Sequence, residues 1–202
     1  MNNLERKNLE PEALQALSHI QNLGRRDFLK FSSVAASLAL AGGVLSPLSA
    51  LASLPQGIKY MSDAEYAVFR RLVDVVLVTD GTRLVPVKDV PVLQTLDAAL
   101  LATMEPHILA GLKGGIAYFN DGPQGRFGKR FVDLDDAQAR AFLDAWADSP
   151  ELPQRALAMG LKKLVGLAYW ANPPTWAPLG YDGPVSRRWG LQSLGNAPMP
   201  KA

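Results

Sequence analysis

The chain has 202 residues, no cysteine, two histidines and a formal net charge of +2 at pH 7. Without cysteine there can be no c-type haem attachment, iron–sulfur cluster, thiolate zinc site or disulfide. A nearly neutral chain has no long-range field to gather nucleic acid, so we expect no nucleic-acid partner.

The first recognisable element is an export signal. Arg25 and Arg26 are followed by Asp27 and then by Phe28, Leu29 and Lys30, and residues 31–58 carry no charge. This pattern is typical of a twin-arginine signal, which carries folded proteins across the bacterial inner membrane. The chain has two other arginine pairs, but neither is followed by Phe-Leu-Lys and an uncharged run. We therefore expect a periplasmic protein that uses the twin-arginine translocase.

The uncharged run is weakly apolar and is interrupted by Gly42, Gly43 and Pro47, which argues against a permanent transmembrane helix. Ala50 and Ala52 place small residues where a signal peptidase reads them, so we expect cleavage after Ala52. The predicted domains are a signal at 1–52 and a mature domain at 53–202. A tether that keeps segment 31–48 uncleaved is an alternative.

The mature chain begins with helical patterns. Ser62-Asp63-Ala64-Glu65 is a capping box, and apolar residues at helical spacing predict a first helix over residues 63–78. A second helix is predicted from Pro91 to Met104. A third is predicted from Glu105 to Tyr118, with Pro106 in its first turn, where a missing amide is harmless.

Two further helices follow a turn at residues 120–123, which leads into a Gly-rich basic stretch that we expect to be a mobile surface loop up to Arg130. Acidic residues from Asp133 onward favour a fourth helix to about Asp148. A fifth is predicted over residues 152–170. No run alternates like a strand, so the sequence predicts an all-α domain of about five helices.

The C-terminal segment 169–202 has a different character. Its prolines and glycines exclude a continuous helix from residue 172 to residue 184, yet it is rich in tryptophan and tyrosine. Large rings on an irregular segment must pack on something. They either complete the domain's own core or lie in an interface, where aromatic residues are enriched.

A catalytic or metal-binding group is hard to find. His107 is the one histidine after the signal, and a lone histidine in a helix's first turn is more often a surface or capping residue than a ligand. The carboxylates of Asp133, Asp135 and Asp136 are explained by a helix start. Gly122-x-x-Gly125-x-x-Gly128 follows no strand, so it has no phosphate-loop context. We expect no catalytic, cofactor-binding or metal site in this chain.

The signal, the all-α domain and the closing block together resemble one family, the gluconate 2-dehydrogenase subunit 3 family. The closing block runs Tyr169-Trp170-Ala171-Asn172-Pro173, then Trp176, then Leu179-Gly180-Tyr181-Asp182-Gly183-Pro184. This block is the most specific part of the resemblance, which covers the rest of the mature chain more loosely.

The resemblance implies a noncatalytic small subunit. In such complexes an FAD-containing subunit oxidises a sugar, sugar acid or polyol, and a cytochrome c subunit with haem c passes electrons to the respiratory chain. The small subunit carries the export signal and escorts the flavoprotein, and the complex associates with the inner membrane. Partner contact would then involve the closing rings, namely Tyr169, Trp170, Trp176 and Tyr181.

A second hypothesis remains open at the level of sequence. The cluster from Asp133 to Asp136 beside the basic stretch Arg126–Arg130 is compatible with a self-sufficient small periplasmic enzyme that uses carboxylates and a loosely held cation. The closing rings also have an alternative, which is simple packing on the domain's own core.

Overall fold

The computed structural model describes residues 54–190. The predicted export signal and cleavage site lie outside the described residues, and so does the end of the predicted C-terminal tail. The residues concerned are Arg25, Arg26, Phe28, Leu29, Lys30, Ala50 and Ala52 for the signal, and 191–202 for the tail.

Helix α1 spans Asp63–Val76 and starts as the sequence predicts. The Glu65 amide donates to Oγ of Ser62, and the Ser62 amide donates to a carboxylate oxygen of Glu65 at 2.8 Å. This reciprocal pair satisfies two amides that a helix start leaves without partners. The opposite face buries Phe69 and Leu72 completely.

The second helical region changes type along its length. Helix α2, Val92–Thr95, continues into a π-helical turn, Leu96–Leu100, and then into a 3₁₀ turn, Leu101–Thr103. Helix α3, Pro106–Asp121, follows with proline in its first turn. The predicted second and third helices are therefore confirmed, although hydrophobic periodicity does not reveal the π-helical turn.

The Gly-rich stretch after α3 is not a loop throughout. A one-turn helix α4, Gln124–Phe127, ends at Gly128, whose φ of 65° is left-handed and favours glycine. A 3₁₀ turn at Phe131–Asp133 leads to α5, Asp136–Ala147, which is capped by Asp135 through a second capping box. The loop prediction was wrong here because a single helical turn has no periodicity to detect.

Helix α6, Leu152–Trp170, is the longest and packs against α1, α2, α3 and α5. Beside it lies an aromatic cluster of Phe119, Phe131, Phe142 and Trp146, with neighbouring ring centroids 4.7–5.9 Å apart. Such edge-on and tilted rings stabilise a core beyond the area they bury. The described residues contain helices and no strand, so the all-α prediction is confirmed.

After α6 the chain forms two 3₁₀ turns, Pro173–Thr175 and Ala177–Leu179, and a short helix α7, Val185–Arg188. Prolines and glycines keep this segment from continuing α6, as the sequence indicates. Among the helices of residues 54–190, none combines the length and apolar character needed to cross a bilayer.

Candidate functional site

The aromatic segment packs on the last two residues of α6, Tyr169 and Trp170, which we call the aromatic base. Tyr169 is fully buried, and its hydroxyl donates a 2.7 Å hydrogen bond to the carbonyl oxygen of Val85. Burial raises the pKa of the Tyr169 hydroxyl. The half-buried ring of Trp170 meets the Tyr169 ring edge-on, with centroids 4.8 Å apart. The base is therefore tied to the loop before α2.

Polar contacts then fold the chain back over this base. The buried side chain of Asn172 donates to the carbonyl oxygen of Ala168 at 2.7 Å, and the Thr175 hydroxyl donates to that of Asn172 at 2.7 Å. The Trp176 ring is buried, and its Nε1 donates to the carbonyl oxygen of Trp170 at 2.8 Å. Because these groups are satisfied, the turn has a defined conformation despite lacking regular structure.

Beyond this turn the chain exposes apolar side chains. Residues 54–190 contain eight large apolar side chains that are exposed, and four of them lie within residues 179–189. We call these four the tail face: Leu179, Tyr181, Val185 and Trp189. Trp189 is 68% exposed. The Tyr181 ring contacts the Trp176 ring edge-on, with ring centroids 5.3 Å apart. Clustered exposed apolar residues mark interaction surfaces more often than isolated ones do.

The predicted partner-contacting rings separate into two groups. Tyr169 and Trp176 are buried in the chain's own core, as the self-packing alternative stated, and Trp170 is half-buried. Tyr181 alone of the four belongs to the tail face. Leu179, Val185 and Trp189 were not among the predicted partner contacts, because composition cannot tell which apolar residue of this segment points outward.

The three aspartates at the start of α5 each have a structural contact. Oδ2 of Asp133 lies 3.1 Å from Nε of Arg130, and Asp135 accepts the Gln138 amide at 2.8 Å. Asp136 accepts from Nη2 of Arg71 at 2.7 Å, and this hydrogen bond, with the positive charge of Arg71, lowers the pKa of Asp136. Their carboxylates cap a helix and pair with arginines rather than converging on one point.

His107 lies exposed in the first turn of α3, with Nδ1 3.5 Å from a carboxylate oxygen of Glu105. Within residues 54–190, no three side chains of the metal-binding types lie close enough together to hold an ion.

Two glycines of the Gly122-x-x-Gly125-x-x-Gly128 pattern have structural reasons. A Cβ added at Gly122 would lie 2.7 Å from Cη2 of Trp146 and 2.9 Å from Cζ of Phe142, so only glycine fits against these rings. Gly128 is in the left-handed region, and Gly125 meets nothing within 4 Å. Gly122 and Gly128 are thus explained without a phosphate, and nothing in the structure explains Gly125.

An open cleft of about 640 Å³ lies between α1 and residues 77–94, and Asp136 and Arg140 reach it from α5. It is lined by apolar side chains and by charged side chains of both signs, including Arg70, Asp74 and Lys88. Desolvation raises the pKa of the Asp74 carboxyl, and the neighbouring arginines, Arg70 and Arg71, oppose that rise.

A family model described as Gluconate 2-dehydrogenase subunit 3 matches residues 63–183, more than half of the chain. The chain belongs to the gluconate 2-dehydrogenase subunit 3 family. The resemblance inferred from the closing aromatic block is thus confirmed. The match starts at the first residue of α1 and ends at Gly183, so it includes the buried aromatic base and the start of the tail face. No curated protein and no solved structure matches the chain. As its name states, a gluconate 2-dehydrogenase subunit 3 is one subunit of a dehydrogenase complex, which implies a partner subunit.

Proposed function

We propose that this chain is the noncatalytic small subunit of a periplasmic, membrane-associated, flavin-dependent dehydrogenase of sugars, sugar acids or polyols. It helps the catalytic subunit mature and escorts it, already folded, through the twin-arginine translocase. The single observation that carries the proposal is the family match over residues 63–183. The twin-arginine pattern at Arg25 and Arg26 supplies the export function.

The redox chemistry of the proposed complex belongs to the partner subunits. FAD belongs to the catalytic subunit and haem c to a cytochrome subunit, and this chain binds neither. In support, the sequence contains no cysteine for haem attachment, and the aspartates at the start of α5 already serve as a helix cap and as ion-pair partners. The complex is held at the inner membrane through its other subunits.

The tail face is the surface that we assign to the catalytic flavoprotein subunit. Of its four exposed apolar side chains, Tyr181 packs against the Trp176 ring, which is fixed by its hydrogen bond to Trp170. Trp170 in turn packs against Tyr169, which is bonded to Val85. An exposed aromatic anchor on a rigid support loses little conformational entropy on binding, which favours a stable interface. Tyr169, Trp170 and Trp176 then position the interface, and Tyr181 and Trp189 contact the partner.

Purification from the native membrane tests this function. A tagged copy of the chain is expected to co-purify with a flavin-containing oxidoreductase, and deletion of its gene is expected to leave that flavoprotein in the cytoplasm. A chain that purifies alone, together with normal export of the flavoprotein in the deletion strain, would contradict the proposal. Turnover by the isolated chain, lost on Asp135→Ala, would instead support the enzyme hypothesis.

A further inference from the structure

The segment that joins α1 to the N-terminal residues has three of its backbone amides bonded to one carboxylate of the domain. We call residues 54–61 the strap, since it runs along the domain without helical structure. The amide of Lys59 donates to Oδ2 of Asp97 at 2.7 Å, and the amides of Tyr60 and Met61 donate to Oδ1 at 3.0 Å each. Three successive backbone amides thus converge on one side chain.

Asp97 has an ionisable side chain in a fully buried position, which is normally unfavourable. Its side chain is 0% exposed, and a buried carboxylate destabilises a fold unless donors surround it. Here the donors are the strap amides themselves, and hydrogen bonds to a charged acceptor are stronger than neutral ones. The strap and Asp97 therefore stabilise each other.

The position of Asp97 links the strap to the packed core. Asp97 belongs to the π-helical turn Leu96–Leu100, which packs against α6. π-helical turns frequently occur at functional positions. From the other side, Nζ of Lys113 on α3 donates to the Tyr60 carbonyl oxygen at 2.7 Å and to Glu65 at 2.6 Å. Capture of the strap therefore requires that both α3 and the π-helical turn have reached their native positions.

We propose that Asp97 is a latch that protects the junction between the export signal and the folded domain, so that the signal stays attached until translocation. This inference rests on the proposed export function. Between the predicted cleavage after Ala52 and the first latched amide lie six residues, which reach at most about 20 Å when fully extended. Lys59 is exposed even with the latch closed, but its backbone is held. With the latch released, free chain extends to Ser62, and the backbone at Lys59 becomes flexible enough for cellular proteases, which prefer exposed flexible segments.

Hydrogen exchange on the unaltered full chain is the first test. The amides of Lys59, Tyr60 and Met61 are expected to exchange as slowly as the interior amides of α1, because they open only when the core opens. Exchange at the rate of free peptide at these three positions would overturn the proposal. This test requires no substitution, so it stands even if a variant fails to fold.

Limited proteolysis with a lysine-specific protease is the second test, with three variants of the full chain. Asp97→Asn and Lys113→Met are expected to increase the rate of cleavage after Lys59 by about tenfold or more, because such cleavage tracks the population of the opened strap. The control Asp80→Asn changes an exposed aspartate away from the strap and is expected to cleave at the wild-type rate. Unchanged cleavage in both folded latch variants would overturn the proposal, and Lys113→Met decides if Asp97→Asn does not fold.

A cellular test addresses the protective role itself. In cells whose twin-arginine translocase is inactivated, the ratio of full-length chain to chain lacking the signal is expected to fall at least about tenfold for Asp97→Asn, in line with the opened-strap population. An unchanged ratio would overturn the role. Neither this readout nor the proteolysis involves the catalytic subunit, so failure of the latch is distinguishable from failure of the proposed escort function.

Discussion

Trp176 donates a hydrogen bond from its indole Nε1 to the main-chain carbonyl oxygen of Trp170, at 2.8 Å. This contact ties the irregular aromatic segment to the last turn of α6. The contact also marks a division within the segment. The rings up to Trp176 are buried or half-buried, and the later rings of Tyr181 and Trp189 are exposed. The exposed side chains of the tail face can then act as a preformed surface.

Trp189→Ser tests the exposed side of this division. We expect binding of the catalytic subunit to weaken by about tenfold or more, since large exposed aromatics are the side chains on which interfaces most often depend. The free energy of unfolding is expected to stay within about 0.5 kcal/mol of wild type, as for most surface substitutions. Co-purification yield and urea unfolding measure the two quantities.

Met159→Ser is the matched control, because Met159 is 55% exposed but lies on α6, away from the tail face. Equal loss of partner binding in both variants would show that the tail face has no special role.

Trp176→Ala tests the buried side. Removing this ring leaves a cavity beneath Tyr181 and abolishes the hydrogen bond to Trp170. We therefore expect a loss of about 3–5 kcal/mol in the free energy of unfolding. Chemical denaturation of the isolated chain measures this. A loss below about 1 kcal/mol would mean that the aromatic segment is not part of the cooperative fold.

Most of the helical architecture follows from local signals. The capping box at Ser62 and apolar periodicity place α1, and the acidic residues at Asp135 and Asp136 place the start of α5. The contacts of Asp97 in the π-helical turn could not be predicted, because the amides that donate to its carboxylate belong to a distant part of the sequence. A contact between residues 37 positions apart leaves no periodic pattern in the chain.

The candidate surface was only partly predictable for a related reason. The enrichment of rings in the closing block indicated an important segment, and Tyr181 is indeed exposed. Which rings face inward depends on individual bonds such as Tyr169 to Val85, 84 residues apart in sequence. Sequence composition therefore locates the segment, but only tertiary contacts divide it into supporting and exposed residues.

Gly122→Ala tests close packing at the end of α3. The added methyl would lie within 2.9 Å of the Phe142 and Trp146 rings, so we expect a loss of about 1–3 kcal/mol in the free energy of unfolding. Gly125→Ala is the control on α4, where nothing lies within 4 Å, and alanine there is expected to be neutral or to stabilise by up to about 1 kcal/mol. Thermal unfolding of both variants measures the difference. Equal stability of the two would contradict the packing explanation of Gly122.

Asp74→Asn is expected to increase stability at neutral pH. Desolvation raises the pKa of Asp74 in the folded state, so ionisation opposes folding. This penalty is absent below the unfolded-state pKa of 3.8 and fully present above the raised folded-state pKa. The variant should therefore exceed wild type in urea midpoint at about pH 7, and the difference should vanish at about pH 3.

Asp136→Asn is expected to show the opposite sign. Arg71 lowers the pKa of Asp136 in the folded state, so its ionised form favours folding. This contribution is present above 3.8 and is lost as pH falls through the lowered folded-state pKa. The variant should be less stable than wild type at neutral pH and should approach it in acid. Equal pH profiles for the two variants would contradict the assigned causes.

The escort function is tested most directly by replacing both signal arginines, Arg25→Lys together with Arg26→Lys, and locating the catalytic flavoprotein subunit. The measurement is the fraction of that subunit, with its flavin, in the periplasm. We expect this fraction to fall to the level of a strain that lacks the whole chain, while the flavoprotein still binds the altered chain in the cytoplasm. A flavoprotein that reaches the periplasm in normal amounts would contradict the account.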